Sequence, residues 1–470
     1  MDNKMWHVYK TRKHAYVYDA NINQSNVISD ELFDELSKTG VLNDSEEVRN
    51  LLEQGFFDEI KIEKLEQPLT EYLEVLQDRH LNHLILQVTQ NCNLRCAYCP
   101  YSQENNLNRK HANINMPWEM AKKSIDFLHA HSVDSERAEL SFYGGEPLCN
   151  FDLIKKSVEY FEQVFIGKNK LYSMTINGTL LDDEILRFLD NYDFRIMISL
   201  DGSKETNDKN RKYADLQRSV FDTVIRQLEH IKDNYPKLFE NLMLNIVMDP
   251  SENFDDYLKL FKDYEFLNKV SIKTTDIDDS RADHKNIIND DFLAKRTYFA
   301  FLNLSRILHV MDYGDALHLF DEDLKNEMIN YSPLIKGKPF AERELPSGPC
   351  IPGVNKLFVS VKGDFYACEK FSENVDDAII GNIEKGFDLE KSEKIFNCAA
   401  YIDTNCLKCF AFRDCSACFV NAQQGFKDIE NKKRRCYQIR SNWHSNLINK
   451  AFLDELINGE YGVRLGEIKR

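Results

Sequence analysis

The chain is 470 residues long, 43% hydrophobic and strongly acidic, with a formal net charge of −17. That length predicts roughly two to four domains rather than one, and the acidic balance argues against nucleic acid, whose phosphates must be met by positive charge. No stretch is apolar enough to span a membrane and Met1–Trp6 lacks a signal-peptide core, so a cytoplasmic protein with no membrane partner is expected.

Residues 1–75 read as a small module of their own. Trp6–Lys10 and His14–Tyr18 are rich in β-formers around the short turn Thr11–Lys13, which predicts a hairpin. Two short amphipathic helices follow. One starts near Asp30 and carries Leu32, Phe33 and Leu36; the other starts near Ser45 and carries Val48, Leu51 and Leu52. Asp44 with Glu47 resembles a capping box for the second helix, and Gly55 closes it. Hairpin plus helices is a winged-helix-like pattern. Arg49 is the single basic residue of the second helix, so a peptide added to an edge strand is a better ligand than DNA. A packing domain without a ligand is the alternative.

From residue 84 the pattern turns to regular strand–helix alternation, predicting a core over residues 81–300. Strands are expected at 84–89, 139–143, 172–176, 195–200, 242–248 and 270–274, with helices near 117–131, 151–165, 182–191, 217–233 and 253–264. Pro117 suits a first helical turn, followed by an apolar face of Trp118, Ala121, Ile125 and Leu128. Alternation of this kind predicts an α/β fold with a parallel sheet, curved into a partial barrel if all six strands pair in order. Chemistry in such folds sits at the carboxyl ends of the strands.

Four polar motifs fall at those ends. Cys92-Asn-Leu-Arg-Cys96-Ala-Tyr-Cys99 follows the first strand. Three thiolates so spaced can hold three corners of a cubic iron–sulfur cluster and leave one iron open to an outside ligand; a zinc loop is the competing reading, although zinc wants four ligands. Gly144-Gly-Glu-Pro147 ends the second strand, with glycines that allow close backbone approach and Glu146 as an acceptor for an ammonium group. Asn177-Gly178 ends the third strand and Ser199-Leu-Asp-Gly202 the fourth. Four such motifs on one rim point to a ligand site rather than to core packing.

Further along, Asp276–Asp291 is charged enough for a surface loop, Arg296–Val310 has a helical apolar pattern, and Leu345–Pro349 marks a boundary. Beyond it lie Cys350, Cys368, Cys398, Cys406, Cys409, Cys415, Cys418 and Cys436. The spacing Cys406-x₂-Cys409-x₅-Cys415-x₂-Cys418 is dense enough for a metal site, and zinc is again the competing occupant. Twelve cysteines without a secretion signal argue for metal or catalytic thiols over disulfides; Cys149 reads as a packed thiol. The segments 345–440 and 441–470 are expected to form a cysteine-rich domain and a helical tail.

The C-x₃-C-x₂-C run with Tyr98 before its last cysteine, Gly-Gly-Glu-Pro, and Ser-x-Asp-Gly together resemble the radical S-adenosylmethionine enzymes. The resemblance implies a partial (β/α)₆ TIM-type barrel in which Cys92, Cys96 and Cys99 bind a [4Fe–4S] cluster whose open iron is chelated by S-adenosylmethionine. It further implies Gly144, Gly145 and Glu146 at the methionine end, Ser199 and Asp201 near the ribose, Tyr98 near the adenine, and Arg211 at the carboxylate, with Asn177 also at the site. The implied chemistry is reductive cleavage to a 5′-deoxyadenosyl radical that abstracts a substrate hydrogen.

The distal cysteines resemble the SPASM extension of peptide-modifying radical enzymes, which carries two auxiliary [4Fe–4S] clusters. By resemblance, Cys406, Cys409, Cys415 and Cys436 ligate the outer cluster, and Cys350, Cys368 and Cys418 the inner one. The last interval of the run is two residues, where the family more often has three. A fourth inner ligand is open between Cys398 and a substrate thiolate. Glu369 follows Cys368 where related sulfatase-maturating enzymes carry a catalytic aspartate, so it is a candidate proton acceptor, against a salt bridge with Lys370 or a neighbour. Residues 1–75 resemble the element that binds leader peptides of ribosomally made, post-translationally modified peptides. The combined expectation is a peptide maturase forming a crosslink, foremost a cysteine thioether, on a precursor peptide, with flavodoxin or ferredoxin as electron donor. Rivals are a formylglycine-generating sulfatase maturase, a carbon–carbon crosslinking maturase, and a radical enzyme acting on RNA or a small molecule.

Overall fold

The computed structural model describes residues 4–104, 108–215, 218–277, 289–307, 319, 337–346, 350–401, 404–421 and 429–458. The chain divides into two compact units. The first holds residues 1–73, 330–351 and 390–470, and the second holds 74–329 and 352–389. These units do not follow the expected boundaries at 1–75, 81–300, 345–440 and 441–470: residues 352–389 cluster with the strand–helix core, and residues 390 onward with the N-terminal module. The centre of the charged stretch 276–291, part of the boundary 345–349 and the end of the tail 441–470 lie outside the described residues.

In the first unit, β1 (Trp6–Lys10), β2 (Ala15–Asp19) and β3 (Gln24–Ile28) form an antiparallel sheet in that order. The hairpin is as expected; the third strand, polar through Gln24-Ser-Asn26, carries no clear alternation. Helices α1 (Asp30–Thr39) and α2 (Glu46–Glu53) bury Leu32, Leu36, Val48 and Leu51 against Ala15, Val17 and Ile28 on one face of the sheet. The other face presents Tyr9, Tyr16 and Tyr18 to a second core shared with Phe410, Phe412 and Trp443. Both faces are therefore covered, and every residue of β2 is buried. The short β4 (Lys64–Leu65) pairs with Arg343–Glu344, which becomes β11 in chain order.

The cap of α2 departs from the Asp44–Glu47 expectation. Ser45 is the N-cap, its hydroxyl accepting from Val48 N at 3.2 Å. Asp44 pairs with Arg49 at 3.0 Å, and Glu47 accepts from Ser29 N and Oγ at 2.7 and 2.6 Å, tying α2 to the start of α1. The helix starts one residue later than the Asp44–Glu47 reading requires, so Ser45 stands at the N-cap and Asp44 lies outside it.

The second unit contains β5 (His83–Thr89), β6 (Arg137–Gly144), β7 (Asn169–Ile176), β8 (Arg195–Ser199), β9 (Leu242–Met248) and β10 (Ser271–Asp276), all parallel and paired in sequence order. Helices Trp118–His131, Phe151–Val164, Asp183–Asn191, Val220–Asn234 and Asp255–Asp263 connect them, close to the expected spans. Side chains of the first strand, His83 and Ile85, and of the last, Ser271, line one interior cavity, so the sheet is curled into a partial barrel. β5 is not its free edge. β12 (Leu357–Val359) pairs in parallel with it, and β13 (Asp364–Tyr366), β14 (Gly381–Asn382) and β15 (Gly386–Phe387) extend the sheet antiparallel to ten strands. β5 is buried continuously from Leu84 to Thr89, Gln87 and Thr89 included, as befits a strand with neighbours on both sides.

Candidate active site

The three-cysteine loop leaves the carboxyl end of β5 and is held by backbone on two sides. Toward β6, Gly145 N donates to Thr89 O at 3.0 Å and Glu146 N to Asn91 O at 2.8 Å. A Cβ on Gly144 would meet Thr89 O at 2.3 Å, and one on Gly145 would meet Asn91 O at 2.2 Å. The glycines therefore admit the cysteine loop itself, which refines the expectation that they admit a ligand. On the other side, Arg95 N donates to Lys212 O at 2.7 Å, Ala97 N to Asn210 O at 2.8 Å, and Ala214 N to Asn93 O at 2.9 Å. This zipper to residues 210–214 has no signature in the sequence, because both segments lie outside the strands and are joined by a single isolated bridge, Leu94 to Tyr213.

Cys92, Cys96 and Cys99 line a cavity of about 210 Å³ together with Tyr98, Gly144, Gly145, Glu146, Asn177, Ser199 and Arg211. Burial pushes the Cys92 thiol up to about 12 and Cys96 up to about 11, and it raises Cys99. Holding these sulfurs as thiolates is a task for a bound cation. Glu146 is 2% exposed; burial lifts its carboxyl to about 7 although Asn177 N and Leu148 N donate to it at 2.7 and 3.1 Å. Asn177 binds Asn93 at 2.8 Å and so braces the loop from the third strand end.

Asp201 is fully buried and stands behind Tyr98 rather than in the cavity lining. Its carboxylate accepts from Tyr98 OH at 2.5 Å and Val247 N at 3.0 Å, and the Tyr98 hydroxyl accepts from Arg211 Nη1 at 2.7 Å. Ser199 and Asp201 thus divide their work, Ser199 facing the cavity and Asp201 fixing Tyr98. Arg211, 5% exposed, keeps its Nε buried without a partner. A soft-thiol wall, a buried carboxylate and an orphaned guanidinium N–H form a donor set that fits an iron–sulfur cluster and a zwitterionic amino-acid ligand.

A second cavity of about 340 Å³ fills the barrel interior and shares Tyr143 and Thr175 with the first. Met174, Met197 and Met243 give it adaptable apolar walls. Glu369 lines it and pairs with Lys356 at 3.4 Å. Tyr143, Thr175 and Lys356 were missed from the sequence. The first two sit two residues beyond Ser141 and Ser173, so inward alternation on β6 and β7 could have found them; Lys356 carries no signal.

The distal cysteines are split between the units. Cys368 lies in the second, half-buried after β13. Cys350 is exposed and Cys398 is 1% exposed, both in the first unit. There, Cys406, Cys409 and Cys415 pack against the shared core, and Cys409 and Cys415 are electrostatic neighbours of Cys436 on the helix Ile429–Asn458. Cys418 is half-buried, and Cys149, outside the first cavity, is pushed up to about 11 by burial. None of the twelve cysteines forms a disulfide. Among the described residues no three His, Cys, Asp or Glu side chains converge as ligands of one metal ion; a cubane takes each thiolate on a different iron.

Residues 86–264 match the Radical SAM superfamily model. An uncharacterized protein of Methanocaldococcus jannaschii is 35% identical over 181 residues, which are 38% of this chain and 59% of that protein. A cysteine-type anaerobic sulfatase-maturating enzyme of Clostridium novyi is 25% identical over 392 residues, covering 80% of this chain and 97% of the relative. The solved structure of native anSMEcpe with bound AdoMet and Kp18Cys peptide shares the fold, with a TM-score of 0.56 and 20% identity over 78% of this chain and 99% of that one.

Proposed function

From a radical S-adenosylmethionine domain over residues 86–264, we propose that the protein is a maturase of a ribosomally made peptide and installs a crosslink, foremost a cysteine-to-carbon thioether. The observation that carries the reading is the pair of adjoining cavities. One is lined by three thiols, Glu146 and Arg211, the other by Glu369, and they meet at Tyr143 and Thr175.

Cys92, Cys96 and Cys99 hold the first [4Fe–4S] cluster. Glu146 receives the ammonium of S-adenosylmethionine and Arg211 its carboxylate, while Gly144, Gly145, Asn177 and Ser199 complete the wall and Asp201 fixes Tyr98. A cluster bound there would supply one-electron reduction of the sulfonium, and with it the hydrogen-abstracting chemistry of the deoxyadenosyl group. The barrel interior positions the peptide side chain beside that radical and keeps water away from it. Glu369, held by Lys356, accepts the proton released as the substrate radical is oxidised. Cys406, Cys409, Cys415 and Cys436 would hold an outer auxiliary cluster and Cys350, Cys368 and Cys418 an inner one, which would offer a sink for the substrate electron; flavodoxin or ferredoxin would supply the first electron. The leader adds to β3, which among the described residues pairs with β2 alone and exposes Val27 by 51%. No described helix is long and apolar enough to cross a membrane.

A second reading, formylglycine formation on a sulfatase, is favoured by the Clostridium relative. Its match covers nearly all of that enzyme, yet a fifth of this chain lies outside the match, and leader recognition gives that surplus a use. Anaerobic reconstitution with a cysteine-containing candidate precursor peptide, followed by mass spectrometry, separates the readings. A thioether product loses two hydrogens, retains its sulfur and resists thiol alkylation; a carbon–carbon crosslink leaves the thiol reactive; formylglycine loses the sulfur. About twelve irons per chain are expected for three cubanes, and stoichiometric zinc with little iron would overturn the assignment.

A further inference from the structure

Arg413 stands inside the cysteine run, between Cys409 and Cys415, yet its side chain serves the N-terminal sheet. Nε donates to Ala20 O at 2.5 Å, and Nη2 donates to Asn21 O at 2.8 Å and Lys338 O at 2.7 Å. The guanidinium lies 4.2 Å over the Phe340 ring. Ala20 and Asn21 open the turn from β2 into β3, and Gln24, the first residue of β3, follows three positions later. A planar fork with five donors can bridge successive carbonyls in this way; a lysine cannot.

The run also supplies the packing around that turn. Phe410 and Phe412 are buried in the core beneath the tyrosine face, Phe410 stacked under the His7 ring at 4.2 Å and Phe412 edge-on to Phe340 at 4.8 Å. Between Thr404 and Asn421 the described backbone has short 3₁₀ segments at Thr404–Lys408 and Phe419–Asn421, with two hydrogen-bonded turns between them, Phe412 N to Cys409 O and Asp414 N to Ala411 O. Such a segment has no ladder of its own to offset the entropy of ordering it, so its order rests on the burial of Phe410 and Phe412 together with what its cysteines hold.

We propose that Arg413 is a positioning residue that couples the outer cysteine set to the edge strand. With Cys406, Cys409, Cys415 and Cys436 loaded, the run is ordered, Arg413 pins the β2–β3 turn, and β3 is presented as a rigid template. Emptying the site releases Arg413, and the turn and edge strand open locally. The consequence, that a chain lacking its outer cluster does not engage precursor, rests on the reading of β3 as the leader acceptor.

Hydrogen exchange with mass spectrometry on the full-length, anaerobically reconstituted protein, without peptide, tests the coupling. Arg413→Met is expected to raise exchange over residues 16–28 by roughly ten-fold or more, with iron and sulfide content and exchange over residues 139–176 unchanged. A Cys409→Ala/Cys415→Ala variant should produce the same local rise, and Arg413→Lys should restore protection only in part. Unchanged exchange in Arg413→Met overturns the proposal. So does a rise in Arg413→Met that the cysteine variant does not share, or a rise spread evenly over the chain. The leader assignment fails by a separate result, namely a precursor peptide that leaves β3 exchange in the unmodified protein untouched.

Discussion

Replacing Gly145 with alanine puts a methyl group 2.2 Å from Asn91 O, 2.6 Å from Asn91 C and 3.0 Å from Cys92 Cβ. Two of these atoms are backbone, and Asn91 O is held by Glu146 N at 2.8 Å, so no flexible side chain can yield. Restoring an ordinary contact moves the Asn91–Cys92 segment by about 1 Å, an overpacking strain of roughly 1–3 kcal/mol. The shift falls on a thiol that must meet an iron, and a misplacement of that size costs on the order of 100-fold in rate. The assay is anaerobic 5′-deoxyadenosine formation, with iron content and thermal midpoint measured on the same preparation. Gly167→Ala is the control: its φ is +84° with nothing within 4 Å of the added Cβ, so it carries backbone strain of roughly 1–2 kcal/mol without touching the site. Gly145→Ala should lose activity far beyond its loss of stability, whereas Gly167→Ala loses stability alone. Equal activity in the two variants would refute the argument from close approach.

The Glu146 carboxyl, at about 7 in the ligand-free protein, carries a pH signature. Affinity for S-adenosylmethionine should rise as pH increases through about 7 and become flat in Glu146→Gln, as read by equilibrium dialysis. Because its folded value lies above the ordinary 4.5, its contribution to apo stability is fully present below 4.5 and lost as pH rises through 7. Tyr98→Phe strips the hydroxyl between Arg211 and Asp201 and should cost roughly 1–3 kcal/mol in denaturant unfolding, together with weaker S-adenosylmethionine binding. Glu369→Gln should spare 5′-deoxyadenosine formation while lowering peptide product by roughly 100-fold or more; parallel losses in both would remove its role as proton acceptor. Ser45→Ala should destabilise the chain by about 1 kcal/mol and Asp44→Ala by under about 0.5 kcal/mol; the reverse order would restore the capping box.

Residue order alone determined the six strands, their helices and the loop at the first strand end, because hydrophobic period and terminal signals are local properties of the chain. Cys92–Cys99, Gly144–Glu146, Asn177 and Ser199 were legible for the same reason: each is a short motif at a strand end, and a parallel sheet gathers such ends on one rim. Tertiary structure decided what depends on partners distant in sequence. Asp201 looked like a ligand group and is a support for Tyr98, since only folding brings Arg211 and Val247 beside it. Glu369 found Lys356 across the β12–β13 hairpin, a pairing set by the register of two three-residue strands that carry too little pattern to read. The hairpin of residues 1–75 read as self-sufficient, yet Tyr9, Tyr16 and Tyr18 alternate with Val8, Ala15 and Val17 because both faces of that sheet are buried, one by its own helices and one by a segment four hundred residues away. Alternation shows that a strand has two faces; what covers the second is a property of the fold.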